Sequence, residues 1–222
     1  YKDMGELDKA LEFQEKALSL RHEILGNKHS DLATSFNNIS TIYQDMGKHH
    51  KALEFQEKAL DLTQKILGDK HPSLATSLNN ISLVYQSMGE LDKALEFQEK
   101  ALSLYQEVLG DKHPNLATSI NNISKIYQDM GELDKALAFQ EKALNLTQTI
   151  LGDKHPHLAV VFNDISTIYQ DMGELNKALE FQEKALNLYQ IILGDIHPYI
   201  ATSINNISTI YQEMGKSNKA LE

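Results

Sequence analysis

The stretch SLNNISLVYQSMGELDKALEFQEKALSLYQEVLG, from Ser77 to Gly110, contains two apolar patterns of helical spacing on either side of a glycine. The first pattern places four apolar side chains on one face of a helix: Leu78, Ile81, Tyr85 and Met88. The second pattern runs from Leu91 to Leu109 and predicts a helix of about 19 residues, or about 28 Å. We name the first helix A and the second helix B.

Glycine and proline mark the ends of both helices. Gly89 follows helix A and Gly110 follows helix B, at positions where a residue free to adopt positive φ can end a helix. Pro114 suits the first turn of the next helix and keeps His113 out of the α region. The segment LGDKHP, from Leu109 to Pro114, therefore separates one helix pair from the next.

The pattern returns every 42 residues, as a column of tyrosines shows: Tyr1, Tyr43, Tyr85, Tyr127, Tyr169 and Tyr211. One helix pair leaves an apolar face uncovered, and a neighbouring copy covers it, so we predict a single all-α tandem array over residues 1–222. The predicted elements are a leading helix B at about 5–25, helix pairs at about 31–67, 73–109, 115–151 and 157–193, a trailing helix A at about 199–214 and a partial helix B at 215–222.

Composition excludes several function classes. The 222 residues include no cysteine and carry a formal net charge of −10, and no apolar run is long enough to cross a membrane. The chain opens without a secretion signal, so we expect a cytoplasmic protein. An acidic balance without basic clusters argues against nucleic acid as a partner and favours protein.

The repeat resembles the tetratricopeptide repeat at seven positions of one unit: Leu78, Ile81, Ser82, Tyr85, Gly89, Ala94 and Ala101. It departs from that family at Ser82, where glycine is usual, and at Gln98, where an aromatic residue is common and Phe97 stands one place earlier. The segment LGDKHPSLATSLNNI, from Leu67 to Ile81, is similar to the 42-residue repeats of the kinesin light chains and of bacterial proteins with the same long repeat.

The resemblance implies antiparallel helix pairs stacked into a right-handed superhelical solenoid, with the A helices lining its concave side. In such proteins the concave groove typically holds an extended peptide of a partner. Similar asparagines clamp cargo peptides in the kinesin light chains.

Amide side chains are the main candidates for binding on this face. A helical wheel places Thr76, Asn79 and Gln86 opposite the packed stripe of helix A. An amide both donates and accepts hydrogen bonds, so it can pair with a peptide backbone of any sequence. The predicted peptide-binding residues of the concave face are Asn37, Asn79, Asn121, Asn163, Asn205, Thr76, Thr118, Lys125, Gln44, Gln86, Gln128 and Gln170.

An alternative remains open for the asparagines. They can bond to neighbouring A helices and fix the register of the stack, and we expect this structural role for the second asparagine of each pair, such as Asn80. The charge of the face bears on its ligand, because Lys125 is its only clear base beside several carboxylates. We therefore expect a neutral or basic partner segment rather than an acidic one.

No residue pattern supports catalysis, a metal or a cofactor. The histidine column, such as His71 and His113, lies at inter-repeat turns without companion ligands, and the adjacent His49 and His50 point apart on a helix. Serine, histidine and aspartate recur in every copy without a unique nucleophile and base. We therefore expect no enzyme.

Two other functions remain possible. The first is a self-associating structural or spacer module without a groove ligand, and the second is a regulatory arm of a larger signalling protein. Neither end of the chain carries a polar capping helix, so we expect a fragment of a longer array that forms end-to-end homo-oligomers.

Overall fold

A computed structural model describes residues 4–215, and every regular element within that range is an α-helix. The predicted all-α class is confirmed. The predicted partial helix B at 215–222 lies outside the described residues, except for Gly215. The helices are α1 (Met4–Leu25), α2 (Ser30–Asp45), α3 (His49–Leu67), α4 (Pro72–Ser87), α5 (Leu91–Leu109), α6 (Pro114–Asp129), α7 (Leu133–Leu151), α8 (Pro156–Asp171), α9 (Leu175–Leu193) and α10 (Pro198–Glu213).

From α2 onward, the helices alternate between two lengths. The A helices α2, α4, α6, α8 and α10 have 16 residues each, and the B helices α3, α5, α7 and α9 have 19. Each A helix that a B helix follows packs against it across a short turn. The chain divides into two compact units, one ending at Gly110 and the other beginning at Asp111.

Glycine ends helix A because the chain must turn sharply before helix B. Met88 is the last residue in the α region, and Gly89 then adopts φ 74°, which an L-residue rarely does. The N–H of Glu90 donates to the carbonyl of Tyr85 at 3.0 Å and closes the turn. Three residues therefore separate the end of helix A from the start of helix B.

Histidine caps the start of every A helix among the described residues. The His71 backbone is extended, and its Nδ1 accepts the N–H of Ser73 at 3.1 Å. The same bond joins each other histidine of the column to the residue two places later, at 3.2 Å: His29, His113, His155 and His197. The column predicted as turn residues thus satisfies one of the free N–H groups at each helix start.

Small buried residues bring helix A and helix B of one repeat together. The Ser82 hydroxyl donates to the carbonyl of Ala94 at 2.7 Å, and both residues are fully buried. Three further repeats make the same bond at 2.7–2.8 Å, through Ser40 and Ala52, Ser124 and Ala136, and Ser166 and Ala178. Serine is therefore small enough for this close contact and adds a hydrogen bond to it.

The aromatic shift noted in the sequence has a structural reason. Phe97 of α5 stacks on Tyr85 of α4, with ring centroids 5.4 Å apart, and Lys93 lies over the Tyr85 ring. Gln98, one place later, is fully buried between the helices. Phe97 therefore packs at the half-buried edge between helix A and helix B, and the amide of Gln98 occupies the buried space between them.

We expect His71→Ala to lower the free energy of unfolding by about 0.5–2 kcal/mol, because the capping bond to Ser73 is lost. His71→Asn supplies another acceptor and should retain most of the stability. Urea unfolding followed by circular dichroism checks both values. An equal loss in the two variants would contradict a capping role.

Candidate functional site

The predicted binding residues lie along the A helices, but their exposure differs. Thr76, Thr118, Lys125 and Asn205 are exposed. The remaining predicted residues are half-buried: Asn37, Gln44, Asn79, Gln86, Asn121, Gln128, Asn163 and Gln170. The A-helix face therefore presents hydroxyls and a few charges outermost, with most of the amides partly covered.

Buried glutamines of the B helices donate hydrogen bonds to asparagines of the A helices. Gln98 donates through Nε2 to Oδ1 of Asn79 at 3.0 Å, and Gln140 donates in the same way to Asn121 at 2.6 Å. Both glutamines are fully buried. These bonds fix the orientation of the asparagine amides, and sequence reasoning missed them because the glutamines stand at a position where the family commonly has an aromatic residue.

In the second unit, polar side chains also join successive A helices. Asn206 of α10 donates to Oδ1 of Asn163 of α8 at 2.9 Å, the bond predicted for the second asparagine of a pair. Gln128 donates to Asp171, and Gln170 donates to Glu213 at 3.3 Å. Within this unit, predicted groove residues therefore also hold the stacking register.

Asp164 makes the second unit electrostatically distinct, because the other repeats have asparagine at its position. Burial raises the pKa of this carboxyl, while Lys125, with Nζ 3.9 Å from Oδ1, and hydrogen bonds from Asn121 and Gln140 lower the pKa in part. Lys125, the one clear base of the predicted face, thus has a carboxylate partner nearby.

Asp164→Asn tests whether burial or the interaction with Lys125 has the larger effect on this carboxyl. A carboxyl whose pKa rises on folding binds its proton more tightly in the folded state, so the folded protein loses stability as pH rises through that pKa. Asp164→Asn should therefore raise the thermal unfolding midpoint near neutral pH, and the gain should shrink as the solution is acidified. Thermal unfolding followed by circular dichroism at several pH values measures the difference in midpoint between the variant and the parent.

The exposed Asp153 provides the control for that experiment. Asp153→Asn removes one carboxylate from the surface, so a change in midpoint shared by both variants would reflect the change in net charge. A lower midpoint for Asp164→Asn at neutral pH would mean that the interaction with Lys125 outweighs burial.

Two pockets open beside the A helices at equivalent places in the two units. The Thr63 pocket, of about 190 Å³, lies between α2, α3 and α4 and is lined by Thr34, Asn37, Thr63, Ile66 and Thr76 among others. The Thr147 pocket, of about 330 Å³, is lined by Thr118, Thr147, Ile150 and His157 among others, from α6, α7 and α8. Predicted site residues thus line both pockets: Asn37 and Thr76 in the first, and Thr118 in the second.

The sequence signal for these pockets is a small residue on helix B. Thr63 and Thr147 occupy one position of the 42-residue repeat, and both are buried. Apolar periodicity gives no indication of a pocket there, because threonine is a polar residue type that belongs neither to the apolar pattern nor to the charged face of a helix.

Two features are absent from residues 4–215: a cluster of metal-ligating side chains and a membrane-spanning helix. This part of the chain contains no group of three or more histidine, cysteine, aspartate or glutamate side chains placed to hold a metal ion. None of its helices combines the length and apolar character needed to span a bilayer.

Comparison with known proteins gives a family match over the whole chain. A model described as "Tetratricopeptide repeat" matches residues 1–62, 31–105, 74–149, 119–191 and 158–222. No curated protein sequence matches significantly.

Solved structures resemble the chain at low identity. BtubC (BKLC) from P. vanneervenii has a TM-score of 0.80 and 23% identity, covering 96% of this chain and 86% of its own. A kinesin light chain-like protein of Podosopora anserina with nearly identical TPR-like repeats has a TM-score of 0.72 and 24% identity, covering 88% and 92%. The Rap conjugation regulator of plasmid pLS20, solved with the Phr* peptide, has a TM-score of 0.68 and 18% identity, covering 85% and 50%.

Proposed function

Because the chain belongs to the tetratricopeptide repeat family, we propose that it is a non-catalytic interaction scaffold whose A-helix face binds an extended peptide segment of a partner protein. Proteins of this family generally mediate protein–protein interaction. The observation that carries the proposal is a pocket beside the A helices that occurs once in each unit and is lined there by residues of the predicted face.

Side-chain chemistry at this face suits a peptide backbone. Exposed threonines such as Thr118 provide hydroxyls, and asparagines such as Asn121 provide amides whose orientation buried glutamines fix. Ordered polar groups lose little conformational freedom when a ligand binds, so their hydrogen bonds cost less to form. A likeness to a peptide-bound Rap regulator agrees with the proposal only at the level of fold.

Charge favours a neutral or basic segment. Asp164 lies 3.9 Å from Lys125 and offsets its positive charge, while Asp171 and Glu213 place exposed carboxylates on A helices of the second unit. The whole chain carries a net charge of −10. Basic segments should therefore associate faster, and salt should weaken that preference. We place this activity in the cytoplasm.

A randomised peptide library displayed on phage, selected on the purified protein, tests the proposal. Selected peptides should lose affinity at least tenfold for the variant Thr76→Arg/Thr118→Arg, because both arginines crowd the A-helix face and repel basic ligands. Isothermal titration calorimetry measures the affinities.

Thr149→Arg is the matched control, since Thr149 is an exposed threonine of helix B whose hydroxyl bonds to its own helix, to the carbonyl of Asn145 at 2.8 Å. It should retain parental affinity. Failure to select any peptide, or equal loss in both variants, would contradict binding at the A-helix face and favour a spacer or regulatory arm.

Self-association is a second candidate function, and exposed apolar residues favour it. Phe13, Leu20 and Ile24 of α1 are 68%, 56% and 75% exposed, and Ile204 of α10 is 53% exposed. Ile66, the residue equivalent to Ile24 in the next repeat, is packed against buried core residues. A second copy that covers these faces would remove apolar surface from water.

Sedimentation velocity over a concentration series tests this association. The weight-average sedimentation coefficient of the parent should rise with concentration, whereas Ile24→Lys/Ile204→Lys should stay monomeric. The control Leu83→Lys changes an apolar residue of α4 that is also exposed and should behave as the parent. A monomeric parent at every concentration would exclude self-association.

A further inference from the structure

One position of helix B differs systematically between repeats. Along the chain it is occupied by Arg21, Thr63, Tyr105, Thr147 and Tyr189. Both tyrosines are buried, at 6% exposure. The two pockets beside the A helices occur where threonine takes the place of tyrosine.

Tyr105, at the position equivalent to Thr63 in the next repeat, shows that a phenol ring fits beside helix A at this place. The Tyr105 hydroxyl and the Thr76 hydroxyl are hydrogen-bonded at 2.8 Å. Thr34 is equivalent to Thr76, and it lines the Thr63 pocket. A phenol ring entering this pocket would therefore meet the Thr34 hydroxyl, which is equivalent to the Thr76 hydroxyl that bonds Tyr105.

The second unit repeats the arrangement. Tyr189 packs against Tyr199 with ring centroids 5.2 Å apart. His157 is equivalent to Tyr199 and lines the Thr147 pocket, and Thr118 of that pocket is equivalent to Thr76. A ring in the Thr147 pocket would thus have both an aromatic neighbour and a hydroxyl partner.

Polar atoms in both pockets lack partners within the described part of the chain. The Thr147 hydroxyl oxygen is buried and makes no hydrogen bond, and Thr147 is only 1% exposed. In the Thr63 pocket the same is true of Oδ1 of Asn37. A buried polar atom without a partner is costly, and both atoms belong to residues that line the pockets.

Size is consistent with an aromatic ring. An engineered protein cavity of about 150 Å³ binds benzene. The Thr63 and Thr147 pockets, of about 190 and 330 Å³, exceed that volume.

We propose that the Thr63 and Thr147 pockets are subsites for tyrosine side chains of the bound partner peptide. This rests on the proposed function, since the tyrosine comes from the segment bound along the A-helix face. The repeats with Tyr105 and Tyr189 fill the equivalent position with their own ring and leave the threonine repeats to select the ligand.

The first arm of the test uses p-cresol, the side-chain analogue of tyrosine, on the intact chain. Methyl NMR should show p-cresol shifting the Ile66 and Ile150 signals, with toluene binding about fivefold more weakly because it lacks the hydroxyl. Thr63→Tyr should abolish the shift at Ile66, and Thr147→Tyr the shift at Ile150. Thr149→Tyr, two residues away on the exposed side of α7, should leave both shifts intact.

The second arm uses the phage-selected peptides. Those peptides should be enriched in tyrosine, and Tyr→Ala in the peptide or Thr63→Tyr/Thr147→Tyr in the protein should each reduce affinity at least tenfold. Because these substitutions install residues that sister repeats already carry, the variant should fold and melt no lower than the parent.

Each outcome decides between the proposals. Peptides that bind the parent and Thr63→Tyr/Thr147→Tyr equally overturn the tyrosine subsites and leave the peptide-binding function intact. Selection of no peptide overturns both. Absence of p-cresol shifts, or their persistence in the filled variants, overturns the subsites alone.

Discussion

The close contact between helix A and helix B within a repeat is the constraint on which the rest of the structure depends. Ser82 and Ala94 are both fully buried, and a hydrogen bond between side chain and backbone joins them. A larger side chain at either place would separate the two helices, because protein interiors have little free volume. With the helices this close, Tyr85 can stack on Phe97 at one side of the contact, and the amides meet at the other.

Most of the fold was predictable because its signals are local and repeated. The apolar spacing of Ile81 and Tyr85 indicated helix A, and Gly89 and Pro114 indicated where helices end and begin. The capping role of His71 was not predicted, since histidine is uncommon as a helix cap. Its Nδ1 accepts the N–H of Ser73 in a structure where the His71 backbone is extended.

The placement of the candidate residues on helix A was predictable, but their contacts with other helices were not. A helical wheel located Asn79 and Thr76 on the A-helix face, because one helix alone decides which way its side chains point. The buried partner Gln98 and the pocket at Thr147 depend on how different helices pack together, which no single periodic pattern contains. Whether the face binds a peptide remains a prediction.

The spacing of the polar contacts has a consequence for how such a gene can change. Ser82 bonds 12 residues onward, Gln98 reaches back 19, and Asn206 reaches back 43. An in-frame duplication or deletion of one whole repeat by recombination preserves all three separations. The number of copies can thus vary during evolution while the spacing that these three contacts require is kept, and point changes such as Asp164 give a single copy contacts of its own.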